Sequence, residues 1–316
     1  VEIKARRQEV ESGMSDFGAD FWTGRRIGVV GTGRVARAVA LALRDPASAP
    51  VKIWGRDPAR RDAAAAMTGG QGAESPAVLC AQCDIVALAV ADDALETVVA
   101  DLTGAVRPGT FIFHVSGRSG AAVLDPLAYR GALTAAIHPA MTFTGDTSTE
   151  VARMAGACFA VTAANDEAMA LAQALVRRLG GVPVAVAEAH RTLYHAALSH
   201  AANHLVTLIA GARAALEAAG VEEPGALLAP LTRAALDNSL DRGMAALSGP
   251  LLRGDAGTVA DHLAALERDC PEMLPAYRAM ARATIDALER RGGPVSPAIA
   301  ALLDTPDRGG ASGVEG

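Results

Sequence analysis

Between residues 25 and 186 short apolar runs alternate with amphipathic stretches, and after Val186 the apolar runs stop. Such alternation is expected of βα units feeding a mostly parallel sheet, because a parallel neighbour is reached only through a crossover, most often a helix. It predicts strands over 26–30, 51–54, 84–90, 110–115, 133–137, 157–161 and 183–186. Helices fill the gaps, for example 34–43, 60–67 and 166–179, the last stopped by Gly180 and Gly181. Beyond Val186, Ala, Leu and periodic polar residues predict helices only, over 189–219, 225–240, 257–268, 271–290 and 297–303. The expected organisation is an N-terminal extension 1–23, a doubly wound parallel α/β domain 24–187, an all-helical domain 188–304 and a flexible tail 305–316. No internal repeat is evident.

Composition agrees with two packed domains. At 316 residues the chain is long enough for about two units of about 150 residues. Its 51% hydrophobic content is too apolar for disorder, yet no uncharged apolar run reaches the ~18 residues that would span a membrane. A net charge of -6 and only 3% aromatic residues argue against a nucleic-acid surface. The only lysines are Lys4 and Lys52, so no mechanism can draw a lysine from the second half. Cys80 and Cys83 form a C-x-x-C at the entrance to an apolar run, without a second pair to complete a tetrahedral site; they read as buried structural thiols, no metal is expected, and with Cys158 and Cys270 they fit a reducing compartment. The charged first residues are not a signal peptide, and Met14 is a candidate true start. A reducing cytoplasm is the expected compartment.

The sharpest motif is Gly31-Thr32-Gly33-Arg34-Val35-Ala36, a G-x-G-x-x-A at the first strand-to-helix turn. Gly31 permits the turn, Gly33 lets backbone N–H groups approach a diphosphate, and Ala36 allows close helix-to-strand packing. A bound dinucleotide is expected there. The second strand ends at Ile53-Trp54-Gly55-Arg56, with a guanidinium where an NAD-binding chain would offer a carboxylate to the ribose. Arg56, helped by Arg60, favours the extra phosphate of NADP, although a local pair between Arg56 and the adjacent Asp57 is the alternative.

Such a cofactor carries hydride, so the chain must supply a proton donor and hydrogen bonds at the reacting C=O or C=N. Three segments follow predicted strands: Ala91-Asp92-Asp93, His114-Val115-Ser116-Gly117, and the stretch from His138 to Phe143. Ser116 and Gly117 offer a hydroxyl and an exposed backbone to the nicotinamide or substrate, or simply a turn. On the long helix, His195, Ser199 and Asn203 are spaced i, i+4, i+8 and share one face, while His200 and His204 share another. His195 is suited to acid/base work and Asn203 to orienting a substrate. Near 248–255, Asp255 fits a helix N-cap, whereas Arg253 is placed to clamp a carboxylate.

Five ordered segments, GTGRVA at 31–36, HVSG at 114–117, HPAMTF at 138–143, YHAALSHAANH at 194–204 and GPLLRGD at 249–255 followed by Thr258 and His262, resemble a known family. It comprises Rossmann-like proteins whose C-terminal region is domain of unknown function 2520, and the likeness spans about residues 24 to 303. The family looks related to the 6-phosphogluconate dehydrogenase, ketopantoate reductase and pyrroline-5-carboxylate reductase group. That resemblance implies a reductase with substrate in the cleft between a Rossmann domain and a helical domain. Related dehydrogenases place a lysine four residues before an asparagine on the long helix; if Asn203 is that asparagine, this chain has Ser199 instead. Proton donation then falls to His195.

The expected activity is therefore NADP-dependent reduction of a small 2-oxo acid or imine. His195, Asn203 and Ser199 form the catalytic set. Gly31, Thr32, Gly33, Arg34, Val35, Ala36, Arg56, Ala91 and Ser116 form the cofactor site. Ser116, Gly117, His138 and Arg253 bind substrate. The alternative is a non-catalytic protein that senses NADP(H) or a metabolite. The Ala- and Leu-rich second half is expected to pair with a twin subunit, giving a homodimer.

Overall fold

The computed structural model describes residues 22–44, 49–293 and 295–304. All but the last two residues of the expected extension, Met14 included, and the expected tail lie outside the described residues. The chain divides into two compact units, 1–199 and 200–316.

In the first unit, β1 (Ile27–Val30) leads into α1 (Arg34–Ala42), β2 (Lys52–Trp54), α2 (Pro58–Thr68), the two-residue β3 (Gln71–Gly72) and α3 (Pro76–Gln82). Then come β4 (Ile85–Leu88), α4 (Leu95–Leu102), β5 (Phe111–His114), the short α5 (Asp125–Ala128), β6 (Leu133–Pro139) and α6 (Thr147–Met154). The unit closes with β7 (Cys158–Ala163), α7 (Asp166–Arg178), β8 (Val182–Ala185) and the first turns of α8 (Arg191–Ala218). One eight-stranded sheet runs in the order β3-β2-β1-β4-β5-β6-β7-β8. Every neighbouring pair is parallel except β6 and β7, which run antiparallel with His138 opposite Ala160. Neither that reversal nor β3 has a signal in the local pattern: β3 is too short for any period, and strand direction is a property of the partner.

The central strands β1, β4 and β5 are buried on both faces, which is why they are nearly continuous apolar runs, whereas the outer β3 and β8 are largely exposed. Successive residues alternate between two cores. Val29, Ile85, Ala87, Phe111, Phe113 and Ile137 pack on one side, Val30, Val86, Leu88 and Ile112 on the other. Each large side chain fully buried this way contributes about 1.5–3 kcal/mol. At the N-terminal edge Asp84 ties β1 to the turn before β5: it accepts from the Arg26 backbone N–H and guanidinium and from Arg107. These bonds hold its carboxyl well below the usual carboxylate range, against the opposing cost of partial burial. Cys80 and Cys83 are buried free thiols at the end of α3, pushed up by burial to about 11 and about 12. Thiols so raised stay protonated and unreactive.

The second unit continues α8 and adds α9 (Pro224–Arg242), α10 (Pro250–Arg253), α11 (Ala256–Asp269), α12 (Leu274–Glu289) and α13 (Pro297–Asp304). Its core is small: Val259, Leu263, Leu274, Ala281, Ile285, Ile299 and Leu303, all from the last three helices. Residues 248–255 contain the one-turn α10, with Pro250 in the first turn and Gly254 in the left-handed region ending it. Asp255 caps α11, accepting from the Thr258 backbone N–H and hydroxyl. No helix among the described residues is long and apolar enough to cross a membrane.

Candidate active site

The first unit's order reverses between β1 and β4, and at such a switch point the loops leaving the strands diverge and open a crevice. Gly31 makes the first loop possible. Its φ of +135° is open to glycine, and a Cβ there would lie 2.2 Å from the Ala89 carbonyl oxygen at the end of β4. Gly33 then caps α1 without a side-chain hydrogen bond, and no acidic residue lies in that helix's first turn. By contrast α2, α3, α6 and α7 are capped by Asp57, Ser75, Asp146 and Asn165. The first amides of α1 are thus left for something else, and a Cβ at Gly33 would meet nothing within 4 Å. An uncapped helix N-terminus with open space before it fits a diphosphate.

A cleft of about 430 Å³ lies over these strand ends. It gathers Gly33, Arg34 and Val35 after β1, Ala91 and Asp92 after β4, Ser116 and Gly117 after β5, His138 of β6, Phe143, and His195 of α8. Of the expected residues, Gly31, Thr32 and Ala36 build the turn beneath it rather than its wall. Ser199 lies one helical turn past His195 and is not among the lining residues; Asn203 and Arg253 belong to the second unit. Arg34 donates to the Phe143 carbonyl, so its side chain serves the 140–145 loop. Arg56 is exposed beyond β2. The local pair with Asp57 does not form: Asp57 accepts from the Arg60 backbone N–H and pairs with that guanidinium, leaving Arg56 without a partner among the described residues.

The loop after β5 is built by two histidine-facing contacts. His114, fully buried, accepts the Ser116 backbone N–H at Nδ1 (3.1 Å), so its Nε2 carries the proton donated to the Gly120 carbonyl (2.8 Å). Burial foremost holds its pKa down to about 4, so it is a neutral structural brace. The Ser116 hydroxyl accepts from the Ser119 N–H, closing the turn. Glu188, in the segment before α8, accepts from Ala121 and Ala122. Gly120 has no room for a side chain, because a Cβ would fall 2.1 Å from that carboxylate.

Gly117 sits between the two cleft histidines. A Cβ would lie 2.4 Å from His195 Cδ2 and 3.0 Å from His138 Nε2, so only glycine lets both rings approach the strand end. The rings stand perpendicular with centroids 6.0 Å apart. Burial first, then the charges of Arg191 and His195, holds His138 at about 4, so at neutral pH it offers hydrogen bonds and no charge. Three residues with no function assigned from sequence complete the site: Arg191, Tyr194 and Glu188. One signal for Arg191 was present, since a cation in the first turn of a helix opposes the macrodipole and calls for a reason.

Residues 16–139 match the Rossmann-like domain, and residues 157–284 match a domain of unknown function, DUF2520. No curated protein matches the sequence. Among solved structures, a Bacteroides fragilis protein described as an NADP oxidoreductase is 19% identical, with 83% of this chain and 98% of that one covered and a TM-score of 0.71. An imine reductase from Myxococcus stipitatus in complex with NADP+ is 20% identical, covering 88% and 99%, with a TM-score of 0.65. A reductive aminase from Aspergillus terreus, in complex with cyclohexanone and allyl amine among its ligands, is 16% identical, covering 89% and 99%, with a TM-score of 0.62. These are likenesses of fold.

Proposed function

Since the chain is a Rossmann-like protein whose second half carries DUF2520, we propose that it is an NADP(H)-dependent oxidoreductase that reduces a small imine or 2-oxo acid. One observation carries the reading: the uncapped N-terminus of α1 opens onto the same cleft as His195, His138 and Ser116. The amides of Gly33 and Arg34 would hold the diphosphate, and the unpartnered Arg56 would meet the 2′-phosphate of NADP. Bound NADPH supplies hydride. His195, whose Nε2 faces Gly117, gives the proton to the nitrogen or oxygen that hydride attack leaves electron-rich. Ser116 and Gly117 lie where the nicotinamide and substrate would meet. The ketone and amine bound by the Aspergillus terreus structure combine to a C=N bond, which favours an imine here.

Saturating NADPH, at about 100 times its Kd, is expected to stabilise the protein by about 2.7 kcal/mol. NADPH absorbance should then fall steadily with some member of a panel of cyclic imines, ketone-amine pairs and 2-oxo acids. Stabilisation without consumption would favour the sensing alternative; no stabilisation would overturn both readings.

We also assign the second unit to homodimer formation. In α9 only Pro224 is buried, and Leu227 and Leu231 on one side and Leu236 and Leu240 on the other are exposed, Leu240 by 76%. Leucines exposed on two sides of one helix leave apolar surface in water, and a second copy of the chain would cover it. Sedimentation equilibrium at micromolar concentration is expected to give twice the chain mass, and a monomer would remove the assignment. The four free cysteines fit a reducing cytoplasm.

A further inference from the structure

Arg191 is a buried cation whose hydrogen bonds go to backbone alone. Its guanidinium donates to the carbonyls of Ser116 (2.7 Å), Ser119 (3.0 Å) and Ala160 (3.3 Å), and lies 5.6 Å from the centroid of the Tyr194 ring. The Tyr194 hydroxyl is in turn 2.9 Å from His138 Nδ1, with the two rings nearly perpendicular. On the far side of the imidazole, His138 Nε2 faces Gly117 within the cleft.

A neutral imidazole carries one proton, and the nitrogen that holds it is set by what the other nitrogen meets. Two arrangements would satisfy a 2.9 Å contact. Phenol is a much stronger acid than a neutral imidazole N–H, and the bare imidazole nitrogen is a better acceptor than a phenol oxygen. Tyr194 O–H to Nδ1 is therefore the stronger of the two. Burial keeps the phenol protonated, so the proton is available to donate. The charged and titratable groups around His138 are Arg191 and His195 on α8, Asp92 after β4 and His114 on β5; the nearby cation of Arg191 disfavours a second charge on the ring.

We propose that Tyr194 is a positioning residue that donates its hydroxyl proton to His138 Nδ1 and so fixes the Nε2–H tautomer, making His138 a hydrogen-bond donor to substrate beside His195. The proposal rests on the reading that this cleft holds a reducible substrate. It separates two roles within one pair of histidines: His195 moves a proton, while His138 keeps its own and anchors an electron-rich substrate atom. Arg191 holds both ends of the device, the 116–119 loop through its carbonyl contacts and Tyr194 through the ring.

The test is 15N NMR of protein labelled at histidine, with the His138 signals assigned by their loss in His138→Gln. In the unsubstituted protein Nε2 is expected in the protonated range and Nδ1 in the unprotonated, hydrogen-bonded range. Tyr194→Phe should shift both toward an average of the two tautomers. With the best substrate of the panel, Tyr194→Phe should raise KM about twofold, the factor by which the Nε2–H form is depleted when the two tautomers average, with kcat less affected and the NADPH Kd within twofold. A proton on Nδ1 in the unsubstituted protein, an unshifted spectrum in Tyr194→Phe, or an unchanged KM overturns the proposal. The NMR result stands apart from catalysis: the expected spectra in a protein that consumes no NADPH would sink the reductase reading and leave the Tyr194–His138 assignment supported.

Discussion

Replacing His195 with alanine is expected to lower kcat by about 10²–10⁴-fold, the usual contribution of a positioned general acid, while the NADPH Kd stays within a few fold. The split follows from where the ring sits. His195 lines the cleft from the first turns of α8, edge-on to His138 and over Gly117, whereas the amides assigned to the diphosphate belong to α1. Losing the imidazole removes a proton donor and none of the cofactor's partners. His138 cannot take over, because burial holds it neutral at about 4 and Tyr194 occupies its Nδ1. No lysine is available either, since none lies beyond Lys52. Single-turnover mixing of the His195→Ala protein with NADPH and substrate reads the loss directly; turnover within threefold of the parent would take His195 out of the mechanism.

The Arg191→Met protein is expected to lose about 3 kcal/mol of stability and with it the geometry of the cleft. Methionine roughly fills the space but donates nothing, leaving the carbonyls of Ser116, Ser119 and Ala160 buried without this donor. Each such group costs about 1–3 kcal/mol, offset in part because the buried charge no longer has to be desolvated. The melting temperature should fall by roughly 6–12 °C for a unit of this size. The loop from Ser116 to Ser119 is held at both its carbonyl ends by this one side chain, so hydrogen exchange there should accelerate before the sheet opens. Denaturant unfolding measures the first effect, and a loss below about 1 kcal/mol would show that the buried guanidinium is no structural pin.

Both variants act at positions that local patterns treat differently. His195 is legible because it stands four and eight residues from Ser199 and Asn203, and a helix puts that spacing on one face. Even so, only His195 of the three lines the first unit's cleft, since a face that long passes from one unit into the next. Arg191 is one of 27 arginines, 29 basic residues less two lysines, and none of its hydrogen-bond acceptors is near it in sequence. Its acceptors lie 75, 72 and 31 residues away, and Tyr194 meets His138 across 56. Arg56 stands between these cases: its place after β2 is readable, but its freedom is known only because Asp57 turns to Arg60.

What could be read from the chain alone was whatever depends on neighbours within about eight residues. The strand–GTGRVA–helix turn, the apolar runs of the central strands, the helix starts and stops, and the all-helical second half are all of that kind, because φ/ψ restriction and side-chain period act locally. Strand direction, the antiparallel β7, the neutral state of His114 and His138, and the Arg191–Tyr194–His138 chain came from folding. Those depend on burial and on contacts closed across tens of residues, and both exist only once the sheet brings the ends of β4, β5 and β6 together beneath α8.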